Sequence, residues 1–463
     1  MDAHPVVGSV SAVLLVFAVV SVLVLVCGVG AVTAGGQVGG PRAVAAGRSD
    51  GGRVRTVVVG SGLTAGACVH GLGAGSGPGA TAVVVREAEG GLGGRALSVP
   101  SPAARPSTAA APNDLGAWCF QPLLHPATLR LLGALHMNYV TLTLVSPTQS
   151  FRYDGATGVR LPWGTLPPLS APQRQSAALG DVAPEDALLW FAHTGLWRDD
   201  AAASQAALDV VATWDAPPYA ALPTAFGWQD VVGRCLGTTS ARFNARVTRV
   251  AVGADPGRPG AGVTLAFADG AQEPAGRVVL TVPPAALAAL GGVLPEVARA
   301  ARESFVTVAA AVVVATWNSV DVWWPAAGWR EGMVASSTPL GRMTILGPNQ
   351  VRLAVSGARD VQFWNHVFVE QGTQAALRTL GSLLRQVFPT ATDPATAVCK
   401  PWPTGTVLWR ASVDRAAVRA LLGRPCGPRA PVWWASADAA LEWPSWVEGA
   451  VQEGEAVAAA LAG

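Results

Sequence analysis

Lysine is almost missing from this chain. Lys400 is the only one among 463 residues, so arginine supplies the rest of the positive charge and a lysine can act at no other position. Charged residues are 13% of the chain and the net charge is +2, with no cluster of Lys and Arg. That balance argues against a nucleic-acid partner. The six cysteines, at positions 27, 68, 119, 235, 399 and 426, are scattered and contain no C-x-x-C pair. Neither a disulfide framework nor a zinc site follows from such spacing. The six histidines show no H-x-x-x-H or other ligand spacing, so no metal is expected. There is also no Ser/His/Asp or Cys/His constellation, and a protein nucleophile is not expected.

What the chain has instead is apolar surface and glycine: 50% of residues are hydrophobic and 53 are Gly. The length leaves room for two or more domains with sizeable cores. Residues 5–34 carry no charge, and 12–32 are apolar over about the ~20 residues that span a bilayer. Two readings stay open for this N-terminal apolar helix. As an anchor, with Arg42, Arg48, Arg53 and Arg55 on its C-terminal side, it places the folded part in the cytosol. As a targeting segment cleaved after Val32-Thr33-Ala34, it sends the chain to an organelle or out of the cell. Residues 35–53 read as a flexible linker.

The most informative stretch is Arg55–Arg95. Thr56–Val59 is a β-branched run that suits a buried parallel strand. It leads into Gly60-Ser61-Gly62-Leu63-Thr64-Ala65-Gly66 and then into helix-compatible residues. Strand, glycine turn and helix together form the context in which G-x-G-x-x-A reads as a dinucleotide site. The first glycine makes the tight turn, the second lets a pyrophosphate approach the backbone, and the third small residue lets helix and strand pack closely. Phosphate then meets free N–H groups at a helix N-terminus. A second β-branched run, Thr81–Val85, ends beside Glu87, an acidic residue placed to bind ribose hydroxyls. The glycines of 71–79 lengthen the spacing and read as a surface insertion. Gly93-Gly94-Arg95 adds exposed backbone and a cation suited to a diphosphate.

Beyond this stretch, the periodicity predicts helices over Pro122–Met137, Ala183–Trp197, Ala201–Trp214, Trp228–Leu236, Ala285–Leu290 and Ala375–Val387. A hairpin is expected over Phe151–Pro162, turning at Asp154-Gly155. Strands are expected at 245–250, Val263–Ala268 and Arg277–Val282 as a meander, and at Val306–Trp317, Val351–Val355 and Val361–Val369. Near the C-terminus, Pro431–Asp438 reads as a strand ending in a carboxylate, and a helix begins at Val447-Glu448.

The order of these pieces resembles the FAD-dependent amine oxidase superfamily, and within it the renalase group. The residues that carry the resemblance are the glycine turn at 60–66, Glu87, Gly93-Gly94-Arg95, Asp114-Leu115-Gly116-Ala117, Val278–Pro283, Asp438 and Trp446–Ala450. Ser337–Arg342, and Cys399 followed by Trp402, are the cues nearer to renalase. The resemblance implies an α/β fold: a Rossmann-like FAD/NAD(P)-binding domain (54–120, 230–300 and 395–463) with an inserted α+β substrate domain (121–229 and 301–394). It implies non-covalent FAD, since no cysteine lies in the C-terminal flavin motif. Gly60, Ser61, Gly62, Leu63 and Thr64 then surround the pyrophosphate, Glu87 the adenosine ribose, and Gly94 and Arg95 the phosphates. Val247 contacts the adenine side through its backbone, and Gly116 and Ala117 lie near the isoalloxazine edge. Asp438 contacts the pyrophosphate–ribityl region, and the helix starting at Val447 and Glu448 points its N–H groups at the flavin pyrimidine ring. A helix N-terminus there stabilises the negative charge of reduced flavin.

The activity implied is that of a renalase-like oxidase. Hydride passes to FAD from a dihydronicotinamide (an NAD(P)H isomer) or from an amine C–H, and oxygen takes the electrons as hydrogen peroxide. An amine or polyamine oxidase or a desaturase of the same fold is the alternative, and a degenerate FAD-binding interaction protein is a third. The partners expected are a small-molecule substrate and oxygen, with no nucleic acid and a possible membrane association through 12–32. No catalytic residue is named. The lysine that polyamine and monoamine oxidases place near the flavin has no counterpart, Trp118-Cys119 replaces a polar–aromatic pair, and Ala437 replaces a glycine. Trp323, Trp324 and Trp402 are candidates for a pocket wall or for the core.

Overall fold

The computed structural model describes residues 54–74, 82–100, 112–164, 218–223, 225–253, 262–411 and 413–462. The apolar segment 12–32, the linker 35–53 and the helices expected at Ala183–Trp197 and Ala201–Trp214 lie outside the described residues. Among the described residues, no helix is long and apolar enough to cross a membrane.

Five short strands form a wholly parallel sheet: β1 (Arg55–Val59), β2 (Ala82–Arg86), β3 (Ser240–Arg242), β4 (Arg277–Leu280) and β5 (Val432–Trp434). Their order across the sheet is β3-β2-β1-β4-β5. The order reverses beside β1, and open α/β sheets bind ligands at such a switch point, outside the carboxyl ends of the strands. The β-branched runs belong here because both faces of the sheet are covered. Val58 and Val279 point into a core shared with the helices α1 (Leu63–Ala74), α2 (Trp228–Leu236) and α3 (Val447–Ala462). Val57, Val59, Val278 and Leu280 point the other way, into a core built on Val250, Val263, Leu265 and Phe267. α1 runs through Gly71–Ala74, so the first part of the expected surface insertion is helical.

The meander between β3 and β4 is antiparallel and comprises Val247–Val252, Val263–Phe267 and Gln272–Ala275. Arg277–Leu280, expected as its last strand, leaves it to pair with β1 as β4. The reason lies at Gly276: its N–H bonds the carbonyl of Arg55, and a Cβ there would sit 2.7 Å from Val54 and 3.3 Å from the Arg55 carbonyl oxygen.

A second sheet has seven strands, in the order Thr396–Trp409, Phe305–Thr316, Gln350–Ser356, Arg342–Gly347, Met333–Ser336, Phe151–Asp154 and Val159–Pro162. Phe151–Pro162 forms the expected hairpin. Thr396–Trp409, assigned from sequence to the nucleotide-binding part, is an edge strand of this second sheet. One face carries a core rich in tryptophan, including Trp317, Trp323, Trp324, Trp329 and Trp364, with Phe388 stacked on Trp329 at 5.1 Å. Val361–Val369 is not a strand. It is a helix over Ala358–Asn365 continued by a wider turn over His366–Glu370. Val361, Trp364 and Val367 are its buried apolar residues, and their spacing of three is helical rather than alternating.

Candidate functional site

A single cavity of about 610 Å³ runs from the carboxyl end of β1 to the inner face of the seven-stranded sheet. Its first wall is the turn Gly60–Thr64. Gly60 has φ +105°, and a Cβ there would lie 2.5 Å from Thr281 Oγ1, so both conformation and space require glycine. Its N–H donates to the Arg86 carbonyl, which ties the turn to β2. Gly62 pairs with Gly93, whose N–H donates to the Ser61 carbonyl at 3.0 Å. The two glycine segments, far apart in sequence, therefore form one backbone surface.

Glu87 continues the wall beyond β2. Its carboxylate is 8% exposed, with one oxygen accepting from Ser61 Oγ at 2.7 Å and the other from the Glu89 N–H at 2.9 Å. A carboxylate has about four lone-pair directions, so acceptor capacity for a diol remains. Val247 lines the same end. Gly94 and Arg95 lie further along, then Gly116 and Ala117. Gly116 is the tightest point: a Cβ would sit 1.9 Å from the Arg95 carbonyl oxygen, which accepts the Ala117 N–H at 2.8 Å. α3 meets the cavity through Val447 and Ala450.

Two expected residues stand behind the wall instead. Asp438 is completely buried, and its Oδ1 lies 2.7 Å from both Arg95 Nη2 and Ser445 Oγ. It therefore acts on the cavity by aiming Arg95. Glu448 turns the opposite way. Its oxygens accept the N–H groups of Ala127 and Thr128 and the Thr128 hydroxyl, which start the helix Pro126–Ala134. A sequence pattern shows that α3 starts here, but not which way its second side chain turns.

Sequence reading also missed the far wall. Arg342, Thr344, Arg352 and Ala354 all face the cavity, and their neighbours Met343 and Leu353 point into the tryptophan core. The alternation was available as a signal, since each strand repeats with period two. Of the three candidate tryptophans, Trp402 lines the cavity, while Trp323 and Trp324 are core. Cys119 lines it too, and burial pushes its thiol up to about 11, leaving it protonated and unreactive at neutral pH.

Asp114 sits just outside. Burial raises its carboxyl to about 6, against the opposing pull of the Ser98 hydroxyl, the Trp228 N–H and the Arg352 charge. Between its ordinary value of about 4 and about 6, the folded chain holds a proton that the unfolded chain has released. Its contribution to stability therefore falls as pH rises through that window. The variant Asp114→Asn is expected to lose this part of the dependence, seen as a difference between the two thermal-unfolding curves measured at pH 4 to 7.

The donor set fits FAD. Gly60, Gly62, Gly94 and the buried Glu87 line one wall. A Cβ at Gly60 or Gly116 would collide with the Thr281 hydroxyl or the Arg95 carbonyl. One at Gly62 or Gly94 would meet nothing closer than 3.7 or 3.4 Å, which leaves room for a ligand against the backbone there. The family model described as flavin containing amine oxidoreductase matches residues 227–462, more than half of the chain. The chain belongs to this family. As a flavin amine oxidoreductase it is an FAD-dependent enzyme. Its fold is shared with cyclohexylamine oxidase from Brevibacterium oxydans IH-35A, with TM-score 0.67 and 18% identity over 89% of this chain and 99% of the other. Putrescine oxidase bound to putrescine superposes with TM-score 0.62 and 17% identity over 88% and 99%. No curated protein matches this amine oxidoreductase in sequence.

Proposed function

We propose that this chain is an oxidase that removes a hydride equivalent from carbon next to nitrogen, with FAD held non-covalently along the Gly60–Gly116 wall. The observation that carries the proposal is the continuity of the cavity. One space joins the glycine turn at the switch point to a far wall that a substrate can reach. FAD bound there would supply the two-electron chemistry for oxidising a C–H bond next to nitrogen, with oxygen as the electron acceptor.

The chain's own residues orient and exclude water. Arg95, aimed by Asp438, would hold the diphosphate; Glu87 would receive the ribose hydroxyls; and the positive end of α3, at Val447, would stabilise negative charge on the reduced ring. Among the described residues lining the cavity there is no lysine and no histidine. Positioning the C–H bond is therefore the protein's main contribution. Amines are the leading substrate class, and the family itself supports that choice. A dihydronicotinamide presents the same C–H next to nitrogen, and the renalase-like run Ser337–Arg342, which ends in a cavity residue, favours it as the second reading.

The test begins with the colour of the purified protein. A yellow protein is expected, with its flavin released to the supernatant by acid precipitation. Anaerobic bleaching by a panel of amines and dihydronicotinamide isomers then identifies the class. A colourless protein that takes up no FAD would sink the reading, and bound FAD that no member of the panel bleaches would favour a degenerate binding protein.

A further inference from the structure

The far wall has an unusual charge. Arg342 and Arg352 lie on neighbouring antiparallel strands, where Arg342 pairs with Ala354 and Thr344 with Arg352. They are thus diagonal neighbours on one face of the sheet, within reach of each other for side chains of this length. Arg352 is 8% exposed. Its Nη2 donates to the Gly116 carbonyl at 3.1 Å and its guanidinium lies 5.0 Å from the Trp118 ring, while its Nε is buried with no hydrogen-bond partner. Arg342 lines the same end of the cavity with its Nε and Nη1 out of solvent.

Two guanidiniums on one buried wall repel each other and lose hydration, and burial followed by the Arg352 charge lowers Arg342 to about 10. Both are charged at neutral pH. The carboxylates among the described residues lining the cavity, Glu87 and Glu89, are engaged at the other end, with Ser61 and Arg246. Asp114 attracts Arg352 through space, but the hydrogen bonds it accepts come from the Ser98 hydroxyl and the Trp228 N–H, not from the guanidinium. Arg352 is thus a buried cation whose Nε has no hydrogen-bond partner, which is costly, and a ligand that supplies an oxyanion lowers that cost.

We propose that Arg352, with Arg342 beside it, forms an oxyanion subsite, so that the substrate of this enzyme carries a carboxylate or phosphate as well as the nitrogen to be oxidised. Arginine suits this task because its planar fork matches such groups bidentately. The same wall discriminates against an α,ω-diamine, whose distal ammonium would meet two positive charges. This inference rests on the flavin-site reading for where the substrate lies, but its binding test does not depend on turnover.

The experiment is calorimetric titration of the full chain, in phosphate-free buffer, with benzoate, its neutral isostere benzamide, and inorganic phosphate. The FAD content of every sample is read from visible absorbance. Benzoate or phosphate is expected to bind at least about tenfold more tightly than benzamide, because hydrogen bonds to a charged group are worth more than neutral ones. Preference for benzoate points to an amino-acid-like substrate, and preference for phosphate to a phosphorylated one such as a dihydronicotinamide nucleotide. Either supports the subsite. Arg352→Met should abolish the preference with FAD content unchanged, and Arg352→Lys should restore part of it. Equal binding of benzoate and benzamide with no phosphate binding would overturn the proposal. So would an Arg352→Met protein that loses FAD but keeps its benzoate affinity, since the guanidinium would then serve the flavin. A wild-type protein free of FAD would defeat the oxidase reading while leaving the anion titration readable.

Discussion

Replacing Gly116 by alanine is expected to yield a folded chain that no longer retains FAD. The added methyl would stand 1.9 Å from the Arg95 carbonyl oxygen and 2.8 Å from its carbon, and neither is the end of a flexible side chain. Backbone must move, and the segment that moves is the one holding Gly94 and Arg95 against the cavity. Two hydrogen bonds move with it: the Ala117 N–H to the Arg95 carbonyl, and Arg352 Nη2 to the Gly116 carbonyl. Overpacking of this kind costs about 1–3 kcal/mol, and a loop without ligand can relax where a loop closed on ligand cannot. The loss therefore appears mainly in affinity, as about a 100-fold rise in the FAD dissociation constant. Flavin fluorescence titration measures it, and circular dichroism shows whether the chain is folded. Gly133→Ala is the control: it lies in the helix Pro126–Ala134 with nothing within 4 Å of the new methyl, so affinity should not change. Unchanged FAD affinity in Gly116→Ala would mean that the 95–116 contact does not shape the flavin site.

The nucleotide half of this site was legible in the sequence because its determinants are local. A β-branched run abuts a glycine with positive φ, and a carboxylate closes the next β-branched run, so each signal is written in a few adjacent residues. The structure brings Gly60, Gly62, Glu87, Gly94 and Gly116 to one cavity. The opposite wall depends on register. Arg342 and Arg352 face the cavity together only because Gln350–Ser356 pairs with Arg342–Gly347 in a particular alignment, and a slip of one residue would send the guanidiniums into the tryptophan core. Val361–Val369 was misread for a related reason. Apolar residues at 361, 363, 364, 367, 368 and 369 satisfy both a two-residue and a three-to-four-residue repeat, and the tryptophan core beneath selected the helix. Trp402 and Trp323 differ in the same way: the residue type is equal and the tertiary position decides which one meets the ligand.

Glu448→Ala is expected to cost about 3 kcal/mol of stability, although it removes no atom from the cavity wall. The helix Pro126–Ala134 opens with a proline, which has no N–H to satisfy, followed by Ala127 and Thr128, whose N–H groups have no intrahelical partner. Glu448, fully buried on α3, accepts both at 3.0 and 2.8 Å and also binds the Thr128 hydroxyl and Gln452 Nε2. Its negative charge sits at the positive end of that helix dipole. Truncation leaves two buried N–H groups and a hydroxyl without an acceptor, and it opens space at the point where α3 starts. Glu448→Gln keeps one acceptor oxygen and should cost about half as much. The same two helices are also joined by Arg130–Glu455 at 2.9 Å, but that pair is exposed, at 63% and 38%, and Glu455→Ala should change stability by less than about 1 kcal/mol. Thermal unfolding of the three variants stripped of FAD, which removes ligand stabilisation from the comparison, checks the ordering. Equal melting temperatures for Glu448→Ala and Glu455→Ala would show that the buried carboxylate does not anchor α3. With the anchor lost, the turn that carries Val447 to the cavity would also loosen, so a fall in FAD affinity smaller than that of Gly116→Ala should accompany the loss of stability.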